Sequence, residues 1–203
     1  MPEMFKLPAQ HQLPKYLTMA YSALFLDRDG VINTRIPGGY VSKAADFKWM
    51  PGNPEAIAQL YPLFEYFFIV TNQQGIGKGL MTMKDLEAVH DHMCTALKAS
   101  GVMPDGIYTC PDLKTAPDNC RKPAPSMGLR AKAAFPDIDF NRSVMVGDSL
   151  SDLQFGYGLG MRTVWIAGKP EDETLIQKAI DNGLPVWQKA DSLSALAQLL
   201  RNN

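Results

Sequence analysis

Five short apolar runs punctuate this chain: Ala23–Leu26, Phe67–Val70, Gly106–Thr109, Val144–Val146 and Thr163–Ala167. Each ends in polar or glycine-rich residues, and stretches able to form helices lie between them. Those stretches are Asn53–Tyr66 (interrupted by Pro62), Met83–Ser100, Ser126–Phe135, Ser151–Leu159 and Pro170–Asn182. A last apolar pair, Val186–Trp187, precedes a final helical stretch from Ser192 to Leu200. Strands buried on both faces read as continuous apolar runs rather than as alternating ones. Alternating strands and helices call for a parallel sheet. The expected fold is therefore α/β: a three-layer, doubly wound, Rossmann-like parallel sheet with helices on both faces.

In such a sheet the ligand sits beyond the carboxyl ends of the strands, so the residues just after each run matter most. Asp27-Arg28-Asp29-Gly30 follows the first run and Thr71-Asn72-Gln73-Gln74-Gly75 the second. Gly147-Asp148-Ser149 follows the fourth, with Asp152 one helical turn further on. Carboxylates two residues apart face one site if the strand continues. One of them can attack phosphorus to form an acyl phosphate. The other can protonate the leaving oxygen and later deprotonate water. Gly30 lets the backbone turn away at once.

Two carboxylates repel a phosphate, and a hard cation with oxygen ligands removes that difficulty. Asp148 is the natural further donor, with Asp152 able to complete or brace the metal shell. A transferring phosphoryl group also needs donors around its oxygens. Thr71, Asn72 and Lys122 supply a hydroxyl, an amide and a fixed charge, and Arg121 can grip a second anion bidentately. Each element alone has an ordinary structural explanation: a solvated turn, a helix cap, an exposed charge. Four of them in order, each after its own apolar run, point to chemistry.

The formal net charge of −1 gives no electrostatic reason to expect nucleic acid or an anionic membrane as a partner. No apolar run approaches the ~20 residues that span a bilayer. Three cysteines in 203 residues argue against a disulfide framework and suit a reducing cytoplasm. Residues 1–20, rich in proline and glutamine, are expected to be a poorly ordered leader, and residues 21–203 a single domain acting as a monomer.

The words Asp27-Arg28-Asp29-Gly30-Val31, Thr71-Asn72, Lys122 and Gly147-Asp148…Asp152 resemble the four ordered motifs of the haloacid dehalogenase superfamily of phosphohydrolases. Gly39-Tyr40-Val41, Thr71-Asn72-Gln73-Gln74-Gly75-Ile76-Gly77-Lys78-Gly79 and Cys120-Arg121-Lys122-Pro123 narrow the similarity to its histidinol-phosphatase-like branch. The resemblance implies that Asp27 is the nucleophile, that Asp29 is the general acid/base, and that Thr71 and Lys122 hold the phosphoryl group. It implies Mg²⁺ held by Asp27, Asp148 and the backbone carbonyl of Asp29. It further implies a small phosphorylated sugar, a heptose 1,7-bisphosphate losing its 7-phosphate, lined by Asn33, Tyr40, Asn72, Gln73, Arg121 and Lys122. Histidinol phosphate is the alternative substrate. Arg121 favours a second phosphate, whereas Asp112 in the substrate loop suits an amine. A non-catalytic phosphate-binding module is a further alternative, against which both Asp27 and Asp29 stand.

Neither the stretch between Asp27 and Thr71 nor that between Thr71 and Lys122 can hold a large cap domain. Selectivity must then come from the loops Thr34–Ser42 and Thr109–Arg121. Arg35-Ile36-Pro37-Gly38-Gly39 is longer than the resemblance leads one to expect. Relatives in this branch often carry a structural zinc on cysteines and a histidine before the lysine. Here Asp112 and Asp118 replace a histidine and a cysteine, so the loop is expected to fold without metal, with Cys110 ending a strand and Cys120 a free thiol. Ser149 stands where some relatives carry a lysine. His90 and His92 are expected on the polar face of a helix, and Cys94 as a small packed residue.

Overall fold

Six strands form one sheet in which every neighbouring pair runs parallel: β1 (Tyr21–Leu26), β2 (Phe64–Asn72), β3 (Gly106–Cys110), β4 (Val144–Gly147), β5 (Arg162–Ile166) and β6 (Gln188–Ala190). The structure is a computed structural model and describes residues 21–168 and 170–202; the leader expected over residues 1–20 lies outside the described residues. The strand order is β3-β2-β1-β4-β5-β6. The chain thus winds outward from β1 through β2 to β3, then returns to set β4 on the other side of β1. Where winding reverses, the loops leaving β1 and β4 diverge and open a crevice at their carboxyl ends.

Side chains alternate across β1, and each face buries its own core. Leu24 and Leu26 join α1 (Asn53–Leu60), α3 (Met83–Ala99) and α7 (Leu193–Arg201) through Ile57, Val89, Met93 and Leu196. Ala23 and Phe25 face α4 (Ser126–Ala134) and α5 (Leu150–Gly158) through Met127, Ala131 and Phe155. Helices on both faces bury the central strands, which is why those strands are apolar throughout. A smaller cluster of Leu153, Trp165 and Ile176 seats α6 (Pro170–Asp181) on the outer strands. Among the described residues no helix is long and apolar enough to cross a membrane.

Three elements differ from the expectation. The helix expected over Asn53–Tyr66 stops at Leu60, a single 3₁₀ turn over Tyr61–Leu63 follows, and β2 begins at Phe64. Pro62 has no N–H with which to continue the helix, and Phe64 pairs with Tyr21 while its ring stacks on that tyrosine at 5.0 Å. Gln74–Gly77 forms a short helix, α2, directly after β2. The pair Val186–Trp187 leads into a three-residue edge strand, β6.

Candidate active site

Asp27 is the first residue beyond β1, and its N–H still donates to Val146 O at 3.0 Å, which continues the β1–β4 pairing. That bond aims its carboxyl into the crevice. The chain then folds back tightly, with Gly30 N–H donating to Asn33 O at 2.7 Å. Gly30 has φ +99°, and a Cβ there would lie 2.1 Å from Asp148 Oδ2. Glycine is required both for the left-handed backbone and for the close passage of Asp148.

β1 ends at Leu26, and Asp27 and Asp29 both line the cavity that opens beyond it. Asp29 turns to the fully buried guanidinium of Arg28, whose Nη2 reaches its two oxygens at 2.9 and 2.8 Å. Asn33 Nδ2 (3.0 Å) and Gln73 Nε2 (2.7 Å) also donate to it. Burial works to raise the proton affinity of Asp29, but Arg28 and these donors outweigh it and hold the carboxyl below the usual range. Behind Arg28, its Nη1 lies 3.2 Å from His90 Nε2 on α3.

Lys122 ties Asp27 to a second carboxylate. Its Nζ lies 2.6 Å from Asp27 Oδ1, 2.6 Å from Asp152 Oδ1 and 2.7 Å from Val70 O. Burial would lower its proton affinity, yet Asp152 and Asp27 raise it, so it stays charged. Its backbone is clamped by Asn72, which accepts from Lys122 N at 3.0 Å and donates to Lys122 O at 3.3 Å. Asp152 completes the bracket. Its Oδ2 accepts from Ser149 N (3.0 Å) and Ser149 Oγ (2.6 Å) at the start of α5. A Cβ on Gly147 would stand 2.1 Å from that of Asp152, so glycine is needed there as well.

Carboxylate oxygens of Asp27, Asp148 and Asp152, all buried, lie within 4.8 Å of one another. Burial, then Asp152 and Asp29, push the Asp27 carboxyl up to about 6, against the pull of Lys122. A cluster of hard oxygen donors with surplus negative charge fits Mg²⁺. Asp152 is engaged by Lys122 and Ser149, which leaves Asp27 and Asp148 as the side chains suited to hold it. Arg35 Nη1 lies 3.5 Å from Asp148 Oδ2 at the mouth of this cluster.

The crevice widens into a cavity of about 1020 Å³ whose lining includes Asp27, Asp29, Thr71, Asn72, Lys122 and Asp148 on the floor. Its walls include Arg35 and Tyr40 from the loop after β1, and Lys114 and Arg121 from the loop after β3. Lys78 Nζ lies 5.6 Å from the centre of the Tyr40 ring. Burial would raise the Tyr40 hydroxyl, but hydrogen bonds with Lys78 and Gln74 lower it. Asn33 and Gln73, expected to touch substrate, are instead fully buried and donate to Asp29, Gln73 Nε2 also reaching Thr71 Oγ1 at 2.8 Å. Asn72 is a clamp on Lys122, although it also lines the cavity.

The sequence assigns no role to Arg28, Arg35 or Lys114, and it reads His90 as a polar-face residue of its helix. Arg28 stands between two singled-out aspartates, and that position was the available signal. Nothing in the helical pattern of α3 marks His90 as half-buried against it. His92 packs edge-on against Phe47, ring centres 5.8 Å apart.

The free-thiol expectation for Cys120 is overturned: Cys110 and Cys120 form a disulfide. Parallel pairing with β2 brings Cys110 level with Asn72, and Asn72 holds the backbone of Lys122, so the two cysteines are drawn together from both sides. Asp112 Oδ2 accepts from Cys120 N at 2.9 Å inside the same loop. The two sulfurs and an Asp112 oxygen lie within 4.8 Å of one another, but a sulfur held in the disulfide is not a thiolate ligand for a metal.

The chain was compared with known families, proteins and structures. A family model described as HAD-hydrolase-like matches residues 119–194, the segment that carries Lys122, Asp148 and Asp152. The D-glycero-alpha-D-manno-heptose-1,7-bisphosphate 7-phosphatase of Mycobacterium tuberculosis (strain CDC 1551 / Oshkosh) is 42% identical over 136 residues, 67% of this chain and 72% of that protein. The D-glycero-beta-D-manno-heptose-1,7-bisphosphate 7-phosphatase of Photorhabdus laumondii is 36% identical over 185 residues, 86% of this chain and 97% of that protein. Among solved structures, D,D-heptose 1,7-bisphosphate phosphatase from B. bronchiseptica, complexed with magnesium and phosphate, superposes with a TM-score of 0.76 at 31% identity. That match covers 90% of this chain and 99% of the other. The chain belongs to the heptose-bisphosphate phosphatase family of the haloacid dehalogenase superfamily.

Proposed function

We propose that this enzyme removes the 7-phosphate of D-glycero-D-manno-heptose 1,7-bisphosphate, in ADP-heptose synthesis, through a phosphoryl group carried on Asp27. One observation carries the reading: Asp27 and Asp152 share the Lys122 ammonium at 2.6 Å each, in the lining of a cavity that also includes Arg121. Asp27, Asp148 and the backbone carbonyl of Asp29 would hold Mg²⁺, which when bound screens the phosphate from the carboxylates and orients it.

Asp27 attacks phosphorus as the bond to the sugar oxygen breaks, and Asp29 gives that oxygen a proton. Asp29 then takes a proton from water, the water attacks the phosphorus of the aspartyl phosphate, and inorganic phosphate leaves. Lys122 and Thr71 stabilise charge on the equatorial oxygens. Asp29 rests ionised beside Arg28; a phosphate dianion arriving next to it raises its proton affinity, which prepares it to act as an acid.

Arg121, which lines the cavity, would hold the distal phosphate. Asp112, the carboxylate that suited an amine, is engaged within its own loop by Cys120 N and is not part of the cavity lining, which disfavours histidinol phosphate. The enzyme is proposed to work as a cytoplasmic monomer, since one chain supplies the whole site and phosphorylated sugars are held in that compartment. The test is phosphate release in Mg²⁺ from α- and β-heptose 1,7-bisphosphate beside histidinol phosphate and fructose 1,6-bisphosphate. Preference for one heptose anomer is the expected result. Preference for histidinol phosphate would remove the substrate assignment.

A further inference from the structure

Arg28 is fully buried and has no acceptor of its own, so each polar neighbour it has must receive a hydrogen bond from it. Its Nη2 and Nε serve Asp29, and its Nη1 meets Nε2 of His90 at 3.2 Å. This geometry assigns the imidazole: Nε2 is the acceptor, and the ring proton sits on Nδ1. The guanidinium is a rigid planar fork. With Asp29 on one side and His90 on the other, its plane is fixed at both ends. Without His90, Asp29 alone among the described residues would hold the fork, and rotation about the Cδ–Nε bond would pull the carboxyl against its bonds from Asn33 and Gln73.

We propose that His90 is a positioning residue for the general acid/base, setting through Arg28 where the Asp29 carboxyl stands relative to the leaving oxygen. This rests on the reading of Asp29 given above. Burial, with Arg28 beside it, pushes His90 down to about 4, so the ring is neutral, as an acceptor must be, at ordinary pH. His90 lies on α3 and is not among the residues lining the cavity, so its route to the reacting group is through Arg28.

The consequence is selective by chemistry. An alkoxide leaving from a sugar phosphate needs the proton of Asp29, whereas p-nitrophenolate leaves without one. The ratio kcat/KM reports the steps through phosphoryl transfer to Asp27, before Asp29 serves as a base. The experiment measures kcat/KM for a sugar bisphosphate and for p-nitrophenyl phosphate in the Mg²⁺-loaded enzyme. The variants are His90→Phe, which keeps a ring but has no acceptor, His90→Ala, and His90→Gln, whose amide oxygen can accept from Arg28. Misplacement of a reacting group by about 1 Å costs up to ~100-fold. His90→Phe and His90→Ala are therefore expected to lose about tenfold or more on the sugar ester, mostly in kcat, and under twofold on the aryl ester. His90→Gln is expected to recover most of the loss. Equal losses on both esters, or no recovery with Gln, would overturn the proposal and leave His90 a packing residue. Asp29→Asn, measured alongside, must show the same selectivity. If it does not, the acid/base reading of Asp29 fails first, and the role of His90 with it.

Discussion

Replacing Asp27 with asparagine is expected to stabilise the metal-free protein and to abolish its stabilisation by Mg²⁺, so that the ranking of wild type and variant reverses with the ion. Asp27 is 5% exposed, and burial with Asp152 and Asp29 pushes its carboxyl up to about 6. A carboxyl raised in the folded state binds an extra proton there between about pH 4 and 6. The stability it contributes is present at low pH and is lost as pH rises through 6. Above that, keeping it ionised costs about 3 kcal/mol. Asparagine avoids the cost but weakens the bond from Lys122, by about 1 kcal/mol. The net gain of ~2 kcal/mol corresponds to roughly 4–8 °C in Tm for a chain of this size. Wild type in Mg²⁺ at a hundred times its Kd gains about 2.7 kcal/mol, which the variant, lacking one carboxylate ligand, forgoes. Thermal melts at pH 7.5 in EDTA and in Mg²⁺ test this, and a pair at pH 5 should bring the metal-free curves together. If Asp27→Asn melts below wild type in EDTA at pH 7.5, the charge-crowding argument is wrong.

Gly30→Ala puts a Cβ into Asp148 at a left-handed backbone position, so a loss of about 2 kcal/mol or more in urea unfolding and a weakened Mg²⁺ isotherm are both expected. Arg35→Ala removes the cation that competes for Asp148, and calorimetric titration without substrate should show Mg²⁺ binding a few-fold more tightly. Reduction of the Cys110–Cys120 bridge, or Cys110→Ser, should cost about 2–3 kcal/mol for a loop of this length. It should also raise KM more than it lowers kcat, because the loop carries Arg121 while Asn72 holds Lys122 independently.

The sheet and the floor of the site were legible because both follow from order along the chain. Buried parallel strands need apolar runs, and the crevice needs its polar groups immediately after them. Boundaries set by competition were not legible in the same way. Phe64-Glu65-Tyr66 could extend a helix or begin a strand, and the decision came from Pro62 together with pairing to Tyr21, a partner distant in sequence. The partners of Asp29 depended on the turn at Gly30, which brings Asn33 back against it. Asn33, Gln73 and Asn72 were recognisable as polar residues near a phosphate site. Whether each faces the ligand or braces a neighbour is settled by packing across β1 and β2, to which no spacing rule gives access. The same holds for Cys110 and Cys120, whose approach depends on β3 pairing with β2 and on the Asn72 clamp. His90 meets Arg28 only because α3 covers the face of the sheet beneath which Arg28 is buried.

The two central aspartates rest in the protonation tendencies opposite to those their proposed roles demand. Asp27, the nucleophile, is pushed up by crowding, and Asp29, the acid, is held down by Arg28, Asn33 and Gln73. Opposed shifts in a carboxylate pair separate the acid from the nucleophile, but here the sign must change before catalysis. Asp27 and Asp148 would hold a divalent cation, whose charge would offset the crowding and favour the ionised form of Asp27. The dianionic phosphate, once seated, opposes the charge on Asp29 and favours its protonation. Each reactant thus corrects one residue, and neither alone corrects both. An open site without a large cap, in which water is not excluded by closure, gains from such a requirement. It also accounts for the separate cations assigned to the two carboxylates: Lys122 bridges Asp27 to Asp152, whereas Arg28, anchored from behind by His90, keeps Asp29 apart until substrate arrives.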